Sequence, residues 1–492
     1  MSRTGSEPCH DPLKASKLFA FPEKPSDLFV LLMRLGLIVC LVASITLALH
    51  SAFSTRTRWF SFPDHLSRNV SDRKFGPTKI SHLLFGLAGT VRTWRNRSRY
   101  GELWWDTNTT RGFVWLDEKP AENASRQGVV SVPYRVSEDW SRFKYLSSQS
   151  AVRIARIFLE SYKLGLPNVR WFVMGDDDTV FFTDNLVSVL ASYDHNQMYY
   201  IGGNSESVEQ DTLHSYDMAF GGGGFAISYP LAAQLVKVFD GCLDRYYTFY
   251  GSDQRVWACV SELGVPLTKQ RGFHQFDIRG DPFGILSAHP LAPLLSLHHL
   301  DNLKPMFPNQ TRIESVESLV RAYRIDPRRI LQQSFCYHHG RKWSVTIAWG
   351  YTIQIYASLL PAKDLQTPLL TFKTWRSWSD GPFTFNTRPM SSVPCGQPIT
   401  FFLDKVQEVG RSGTLTTYKR FVPTNGNSCG TADYARAMAV QSIKVTSLKM
   451  DPEHWRKAPR RQCCEIMDRG TVKDSSLRIR IRKCRPWETI TI

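Results

Sequence analysis

Trp171-Phe-Val-Met-Gly-Asp-Asp-Asp-Thr-Val-Phe-Phe182 places three consecutive aspartates between two short apolar runs. Apolar runs of this length that are bounded by turn residues are typical of buried strands. The aspartates, Asp176, Asp177 and Asp178, need compensation for their charge in such a place, and a bound divalent cation with oxygen ligands is the simplest form of it. The stretch therefore predicts a cation site at the end of a strand. A solvated acidic turn is the alternative interpretation.

Strand and helix patterns alternate on both sides of this stretch. Residues 80–87 and 112–116 are apolar runs typical of buried strands, and residues 149–163 carry an apolar face at helical period. After the aspartates, residues 184–193 predict a helix and residues 199–202 a short strand. This alternation predicts an α/β domain with a mainly parallel sheet, in which ligands bind beyond the carboxyl ends of the strands. The aspartates would lie at such an end.

The pattern changes towards the C-terminus. We expect the α/β domain to occupy residues 79–305 and a β-rich C-terminal region to occupy residues 306–492, where strand-like runs such as 344–356 dominate. Residues 477–482 alternate basic and apolar side chains, which predicts a half-buried strand whose basic face is solvated. Residues 117–138 are polar and predict a loop.

One apolar segment near the N-terminus is long enough to cross a membrane. Residues 35–53 contain no acidic side chain and lie behind 34 polar or mixed residues, which favours an uncleaved signal anchor over a cleaved signal peptide. A cytoplasmic tail at 1–34 and a stem at 54–78 follow from this interpretation. Five N-glycosylation sequons lie after the segment and favour a luminal body, the type II arrangement: Asn69, Asn96, Asn108, Asn123 and Asn309.

The net charge and the cysteine content restrict the class of ligand and the cellular compartment. The net charge of +17 suits an anionic ligand, a membrane surface or nucleic acid, but the basic residues are spread along the chain and no nucleic-acid module is recognisable. The cysteines beyond the membrane segment are even in number, which is compatible with full pairing in an oxidising lumen; partly free thiols are the alternative. Their spacing leaves the pairing open and does not match a structural zinc site: Cys242, Cys259, Cys336, Cys395, Cys429, Cys463, Cys464 and Cys484.

Three further motifs contain residues that could contact a ligand. Four consecutive glycines, 221–224, would let the backbone approach a ligand closely, although a flexible loop explains them equally simply. Asp253 lies at the start of a predicted helix, where its plain role is that of an N-cap or of a partner of the helix dipole. His298 and His299 could complete a metal site of nitrogen and oxygen ligands, although a histidine is more often a structural residue.

Taken in order, these motifs resemble the Fringe-like β1,3-glycosyltransferase family, and most closely its plant branch, long catalogued as a domain of unknown function. The resemblance to the catalytic domain covers roughly residues 79–301, and the plant branch extends over most of the remainder. The motifs that carry it are Trp171-Phe-Val-Met-Gly-Asp-Asp-Asp178, Phe220-Gly-Gly-Gly-Gly-Phe225, Tyr250-Gly-Ser-Asp253, Gly272-Phe-His-Gln-Phe-Asp277 and Ser296-Leu-His-His-Leu-Asp301.

The resemblance implies a GT-A fold, which is a Rossmann-like nucleotide-sugar-binding fold, together with a UDP-sugar donor and Mn²⁺. It implies that Asp178 binds the metal directly and that Asp176 and Asp177 meet the nucleotide ribose and the metal shell. His298 matches the family's metal-binding histidine, with His299 as the second choice. Asp253 matches the catalytic base. The donor-sugar and acceptor pocket would be lined by Gly222, Gly223, Gly224 and Phe225.

These assignments predict an inverting hexosyltransferase that moves a sugar to a hydroxyl of a glycan or glycoprotein, as a single-pass type II protein of the Golgi membrane. The chain departs from the family in having only glycine where alanine is common, and Ser252-Asp253-Gln254 where an acidic pair is frequent. A non-catalytic carbohydrate-binding or scaffold protein on a GT-A-derived fold is the alternative. A two-metal phosphoesterase would need more histidine and aspartate ligands.

Overall fold

The computed structural model describes residues 25–54, 76–120, 132–146, 148–423, 429–467 and 475–492. The chain divides into two compact units, residues 1–76 and 77–492. In the first unit, helix α1 (Pro25–Ser54) contains the apolar segment predicted at 35–53 and is long and apolar enough to cross a membrane. Most of the predicted tail and stem, and the sequons at Asn69 and Asn123, lie outside the described residues.

The second unit begins with alternating strands and helices. Its strands are β1 (Leu83–Ala88), β2 (Gly112–Leu116), β3 (Tyr134–Val136), β4 (Trp171–Asp176), β5 (Val180–Phe181), β6 (Tyr200–Gly202), β7 (Phe225–Ser228), β8 (Leu267–Lys269), β9 (Ile278–Gly280) and β10 (Ser296–Leu297). Its helices are α2 (Val91–Glu102), α3 (Gln149–Lys163), α4 (Thr183–Leu190), α5 (Val208–Leu213), α6 (Tyr229–Arg245), α7 (Ser252–Glu262) and α8 (Phe283–Ser287).

Seven of these strands form one sheet in the order β3-β2-β1-β4-β7-β6-β8. All neighbours are parallel except β7, which runs antiparallel to β4 and β6. The mainly parallel α/β sheet predicted from the sequence is therefore confirmed. The polar segment 117–138 was expected to be a loop, which is wrong at its end, because β3 pairs with β2 there; residues 121–131 lie outside the described residues.

The apolar run of β4 is continuous because both faces of the sheet are covered. Trp171 and Val173 point into one hydrophobic core, and Phe172 and Met174 point into the other, which contains apolar side chains of α3, α6 and α7. A strand buried on both faces loses the alternation of apolar and polar residues that marks a half-exposed strand. Burial on both faces therefore accounts for the pattern from which β4 was predicted.

The rest of the second unit is β-rich, as predicted. Its elements are α9 (Arg312–Ile325), β11 (Gln333–His338), β12 (Trp343–Ala348), β13 (Thr352–Tyr356), α10 (Ala362–Leu365), β14 (Phe372–Thr374), β15 (Ile399–Val409), β16 (Gly413–Arg420), α11 (Ala432–Met438), β17 (Ser442–Leu448), β18 (Cys463–Ile466) and β19 (Ser476–Arg482). Eight strands form a sheet in the order β11-β12-β13-β15-β16-β17-β19-β18. The run at 344–356 is a hairpin rather than one strand, because the chain turns at Gly350, which has φ +80°.

The two large sheets share one hydrophobic core. The core that begins with Leu83 of β1 includes Val345 of β12 and Ile481 of β19. Strand β14 also pairs antiparallel with β9, so a strand from beyond residue 305 joins the α/β part. The division into two domains at residue 305 stays a prediction, although the strands of each large sheet all lie on one side of it.

Four disulfides pair all eight cysteines beyond the membrane segment. They are Cys242–Cys259, Cys336–Cys464, Cys395–Cys429 and Cys463–Cys484. The prediction of full pairing is confirmed. The first bond joins α6 to α7, and the second joins β11 to β18, the two outer strands of the eight-stranded sheet.

Candidate functional site

The candidate site lies where β4 ends. Asp176 is the last residue of β4, and Asp177 and Asp178 form the turn that follows it. Strand β5 follows this turn and pairs antiparallel with β10, and the residue directly after β10 is His298. The pairing of these two short strands therefore brings His298 next to the aspartates, although more than a hundred residues separate them in the sequence.

Asp176, Asp178 and His298 form a compact cluster of oxygen and nitrogen atoms. His298 Nε2 lies 3.4 Å from Asp176 Oδ2 and 3.2 Å from Asp178 Oδ1. One potential ligand atom from each of the three residues lies within 4.8 Å of the other two. Asp178 is fully buried, and neither of its carboxylate oxygens accepts a well-formed hydrogen bond from the described residues. Such a set of atoms fits a divalent cation that takes both carboxylate and imidazole ligands.

The charges in the cluster depend on one another. Burial alone would raise the pKa of Asp178, but the neighbouring His298 and Arg97 hold it well below its ordinary value. Burial alone would lower the pKa of His298, but Asp178 and Asp176 raise it well above its ordinary value. The carboxylate of Asp178 is thus kept ionised, which is the form that binds a cation.

Asp177 is held by a different element. Its Oδ1 accepts a hydrogen bond from Arg97 Nη1 at 3.2 Å, and its Oδ2 accepts one from Thr93 Oγ1 at 3.0 Å; both donors are on α2. Burial and the charge of Asp178 raise the pKa of Asp177 to about 7, against the opposing effect of Arg97. The structure therefore binds Asp177 to α2 and leaves it out of the three-residue cluster.

Arg97 is a site residue that the sequence did not identify. Its guanidinium lies 3.2 Å from Asp177, 3.1 Å from Asp178 and 3.5 Å from Asp301. Helix α2 carries four arginines, at 92, 95, 97 and 99, and only the helical phase relative to the end of β4 distinguishes Arg97 from the others. That phase is set by packing between distant segments, so no local pattern could have identified the residue.

The glycine motif packs against this cluster. A Cβ atom at Gly222 would lie 2.0 Å from His298 Cε1, so only glycine leaves room for the imidazole ring. The carbonyl oxygen of Gly222 accepts a hydrogen bond from Thr179 Oγ1 at 2.7 Å, and Gly223 donates its N–H to Gln275. Gly224 has φ +92°, a conformation that side chains rarely adopt. The glycine motif is thus packed against the three-residue cluster. The interpretation of the motif as a flexible loop did not anticipate this contact.

Asp253 is the second residue of α7, and its carboxylate contacts the glycine motif. Asp253 Oδ2 accepts a hydrogen bond from the backbone N–H of Gly221 at 2.9 Å, and Oδ1 accepts one from Ser252 Oγ at 2.9 Å. The N-cap role is wrong, because Gly251 is the N-cap of α7, but Asp253 does lie in the first turn, where a carboxylate is a favourable partner of the helix dipole. Burial and the charge of Asp176 raise the pKa of Asp253. A carboxylate in this environment is a stronger base than an exposed one.

Asp253 and one member of the three-residue cluster line a common cavity of about 20 Å³. Asp176, Gly221, Phe225 and Asp253 all line it, and Asp176 also belongs to the cluster with His298. Of the four residues predicted to line the sugar pocket, Phe225 borders this cavity, whereas Gly222, Gly223 and Gly224 are buried against protein groups.

His299, the second choice for a metal ligand, is directed elsewhere. Its Nδ1 lies 3.0 Å from Asp277 Oδ1, and its ring stacks on Trp375 with a centroid separation of 4.5 Å. The residue has φ +53°, and its ring packs beside that of His298 with 3.9 Å between the ring centres, but its Nδ1 faces Asp277. The structure therefore brings His298, and not His299, into the three-residue cluster.

The chain belongs to a family described as a protein of unknown function, DUF604, whose model matches residues 210–464, just over half of the chain. It is Fringe-like, as the motifs predicted. It is similar to the β-1,3-N-acetylglucosaminyltransferase lunatic fringe of Gallus gallus, with 30% identity over 198 residues, which cover 35% of this chain and 49% of the relative. The Mus musculus lunatic fringe is 29% identical over 198 residues, with 35% and 47% covered. The chain spans about half the length of these curated relatives.

Two solved structures are also similar to this chain. One is a glycosyltransferase involved in the glycosylation of the major capsid of PBCV-1, with a TM-score of 0.26 and 12% identity, covering 49% of this chain and 97% of that chain. The other is mouse xyloside xylosyltransferase 1 in its apo form, with a TM-score of 0.26 and 10% identity, covering 37% and 82%.

Proposed function

We propose that this chain is an inverting, Mn²⁺-dependent glycosyltransferase with a GT-A fold, which transfers a hexose from a UDP-sugar to a hydroxyl group of a glycan or glycoprotein. The observation that carries the proposal is the shared position of Asp176. This residue belongs to the cluster that fits a cation and lines the cavity that contains Asp253. The similarity to lunatic fringe supports a sugar-transfer reaction at this site.

Asp176, Asp178 and His298 would hold the cation, with Asp177 and Arg97 behind them. A bound divalent cation neutralises the charge that develops on a leaving diphosphate. Asp253 accepts the proton of the acceptor hydroxyl, and the hydrogen bonds from Gly221 and Ser252 fix the orientation of its carboxylate. The hydroxyl oxygen then attacks the anomeric carbon on the face opposite the leaving diphosphate, so that one displacement inverts the configuration.

We also propose that the protein is a single-pass type II protein of the Golgi membrane. Helix α1 is apolar enough to serve as the anchor. The four disulfides beyond it are typical of a protein that folds in an oxidising compartment, which supports a luminal position for residues 77–492.

The test is release of UDP by the full-length chain in detergent, measured with Mn²⁺ and a panel of UDP-sugars. Asp178→Ala is expected to abolish release and to weaken donor binding, because it removes a cation ligand. Asp253→Asn is expected to abolish transfer while donor binding persists, because it removes only the base. Asp244→Asn, an exposed position on α6, is the matched control and should behave as the wild type.

Full turnover by Asp253→Asn would show that another group is the base. A folded wild-type protein that releases no UDP from any donor would contradict the proposed reaction as a whole. That outcome would favour the non-catalytic carbohydrate-binding or scaffold alternative. The observation that speaks for this alternative is the ion pair of Arg97 with Asp178, which already neutralises a proposed cation ligand.

A further inference from the structure

We propose that Trp378, on a loop contributed by the C-terminal region, stacks against a sugar ring of the glycan acceptor. This loop, residues 375–380, is called the Trp loop below. The inference rests on the proposed glycosyltransferase function and deepens it, because it names the chemistry that recognises the acceptor. It also gives the region beyond residue 305 a role at the site.

The Trp loop reaches the site through the pairing of β14 with β9. Strand β14 ends at Thr374, and Trp375 follows it directly. The indole ring of Trp375 is stacked on the imidazole of His299, with 7° between their planes. The His299 ring centre is in turn 3.9 Å from that of His298. The ring of His299 therefore lies between Trp375 of the Trp loop and His298 of the three-residue cluster.

A second contact holds the Trp loop on α5. Glu209 on α5 accepts hydrogen bonds from the backbone N–H groups of Arg376, at 3.4 Å, and Ser377, at 3.3 Å. It also accepts one from Ser377 Oγ at 3.2 Å. The Trp loop is thus anchored both at His299, through Trp375, and at Glu209 of α5.

Trp378 is exposed and held in a strained conformation. Its side chain is 62% exposed, and its φ of +54° is rare for a bulky residue and costs about 1–3 kcal/mol. The guanidinium of Arg279 lies 3.8 Å from the Trp375 ring centre and 5.6 Å from that of Trp378. Arg279 is itself fixed by a hydrogen bond to Asn302 Oδ1 at 3.0 Å. These contacts hold a large apolar ring towards solvent in a defined position.

A pyranose ring is the occupant that fits this surface. One face of such a ring presents C–H groups, which pack on a flat indole, while its hydroxyls project at the edge towards hydrogen-bonding groups. Arg279, Glu209 and Ser377 supply a polar edge of this kind beside Trp378. A protein partner would instead need a larger continuous apolar patch. Tryptophan is also well suited to binding because it offers a large rigid area at low cost in conformational entropy.

The same segment of chain continues into a second surface suited to sugars. Residues 384–386 line a cavity of about 960 Å³ together with residues 203–206 and 269–274. Its wall includes hydroxyl, amide and imidazole groups, and His274 Nε2 is buried there without a hydrogen-bond partner among the described residues. Two of the lining residues are joined directly, since the N–H of Thr384 donates to Glu206 O at 3.0 Å. A glycan of several sugar units, rather than a single sugar, matches a surface of this extent.

The experiment is native affinity electrophoresis of the full-length chain in detergent, through gels that contain soluble galactan, xylan, mannan or glucan, or a glycoprotein before and after removal of its glycans. Trp378→Ala is compared with the wild type and with Trp378→Phe, which keeps an aromatic face. Trp487→Ala is the matched control, because Trp487 is also exposed, at 97%, and has φ +62°. Release of UDP from the donor in the absence of acceptor is measured on each protein in parallel.

At least one glycan is expected to retard the wild type, Trp378→Phe and Trp487→Ala, whereas Trp378→Ala should bind it about tenfold more weakly. UDP release without acceptor should be equal in all four proteins. Unchanged retardation of Trp378→Ala would overturn the inference, as would Trp378-dependent binding to the deglycosylated protein. A wild type that releases UDP but is retarded by none of the glycans would overturn it too. Failure of UDP release in the wild type would instead contradict the proposed reaction.

Discussion

Gly222→Ala is expected to displace His298 from its cluster with Asp176 and Asp178. The added Cβ would lie 2.0 Å from His298 Cε1 and 2.4 Å from Nδ1. Carbon atoms in contact need about 3.5 Å, so the ring or the backbone must move by about 1.5 Å. The imidazole has little room to retreat, because it is buried and packs against the ring of His299 with 3.9 Å between the ring centres. The expected result is therefore a shifted ligand in an otherwise folded protein.

The size of the effect follows from this displacement. A misplacement of about 1 Å costs on the order of 100-fold at a site that depends on geometry, which corresponds to about 2.7 kcal/mol. We therefore expect the Kd for Mn²⁺ to rise about 100-fold. The overpacked core should also lower the free energy of unfolding by about 1–3 kcal/mol.

Electron paramagnetic resonance of free Mn²⁺, titrated with the full-length protein, measures the change in Kd without any knowledge of the donor. Gly241→Ala on α6 is the control, because the same methyl group there meets no atom closer than 3.6 Å. Mn²⁺ binding by folded Gly222→Ala at the affinity of the wild type would refute the reasoning. It would show that His298 is not a metal ligand, or that the backbone of the glycine motif shifts without a cost in free energy.

Three other changes test separate parts of the structure. Arg97→Gln should lower the free energy of unfolding by about 2–4 kcal/mol in the presence of a chelator, because the buried carboxylates beside it lose the positive charge of the guanidinium. Thermal denaturation with saturating Mn²⁺ should show much of this loss restored. Burial raises the pKa of Glu160 to about 7, so its contribution to stability is present below its unfolded pKa of 4.5 and lost as pH rises through 7. Glu160→Gln should thus stabilise the protein by about 1–2 kcal/mol at about pH 8 and have little effect at about pH 4.5, as chemical denaturation at both values would show. Replacement of Cys336 and Cys464 by alanine should cost about 2–4 kcal/mol in the same assay, because their bond closes a loop across 128 residues.

The order of strands and helices around the aspartates could be predicted from the sequence because the signals are local. Strand β4 is buried on both faces, so its apolar run is uninterrupted and ends abruptly at Asp176. The carboxyl end of a parallel strand is also a place where ligands bind, which located the cluster. The role of His298 did not follow from its own neighbourhood; it was implied by the family resemblance.

The other parts of the site depend on long-range pairing that leaves no local pattern. The selection of Arg97 among four arginines depends on how α2 packs beside β4. The contact of Arg279 with Trp375 joins residues 96 positions apart, through two strands of three residues each. Strands this short show too few alternations to be recognised, and the polar segment that ends in β3 was misread for the same reason.

The shared core has a consequence for biosynthesis. It begins at Leu83 and is completed by Ile481, 398 positions later in the chain. At about 5–20 residues per second, a ribosome needs on the order of 20–80 s to make the intervening segment. During that interval one apolar face of the seven-stranded sheet is not yet covered by the C-terminal region, and β9 is not yet paired with β14. The nascent protein is therefore expected to depend on chaperones until β19 emerges, and a chain cut short before β19 should be retained and degraded.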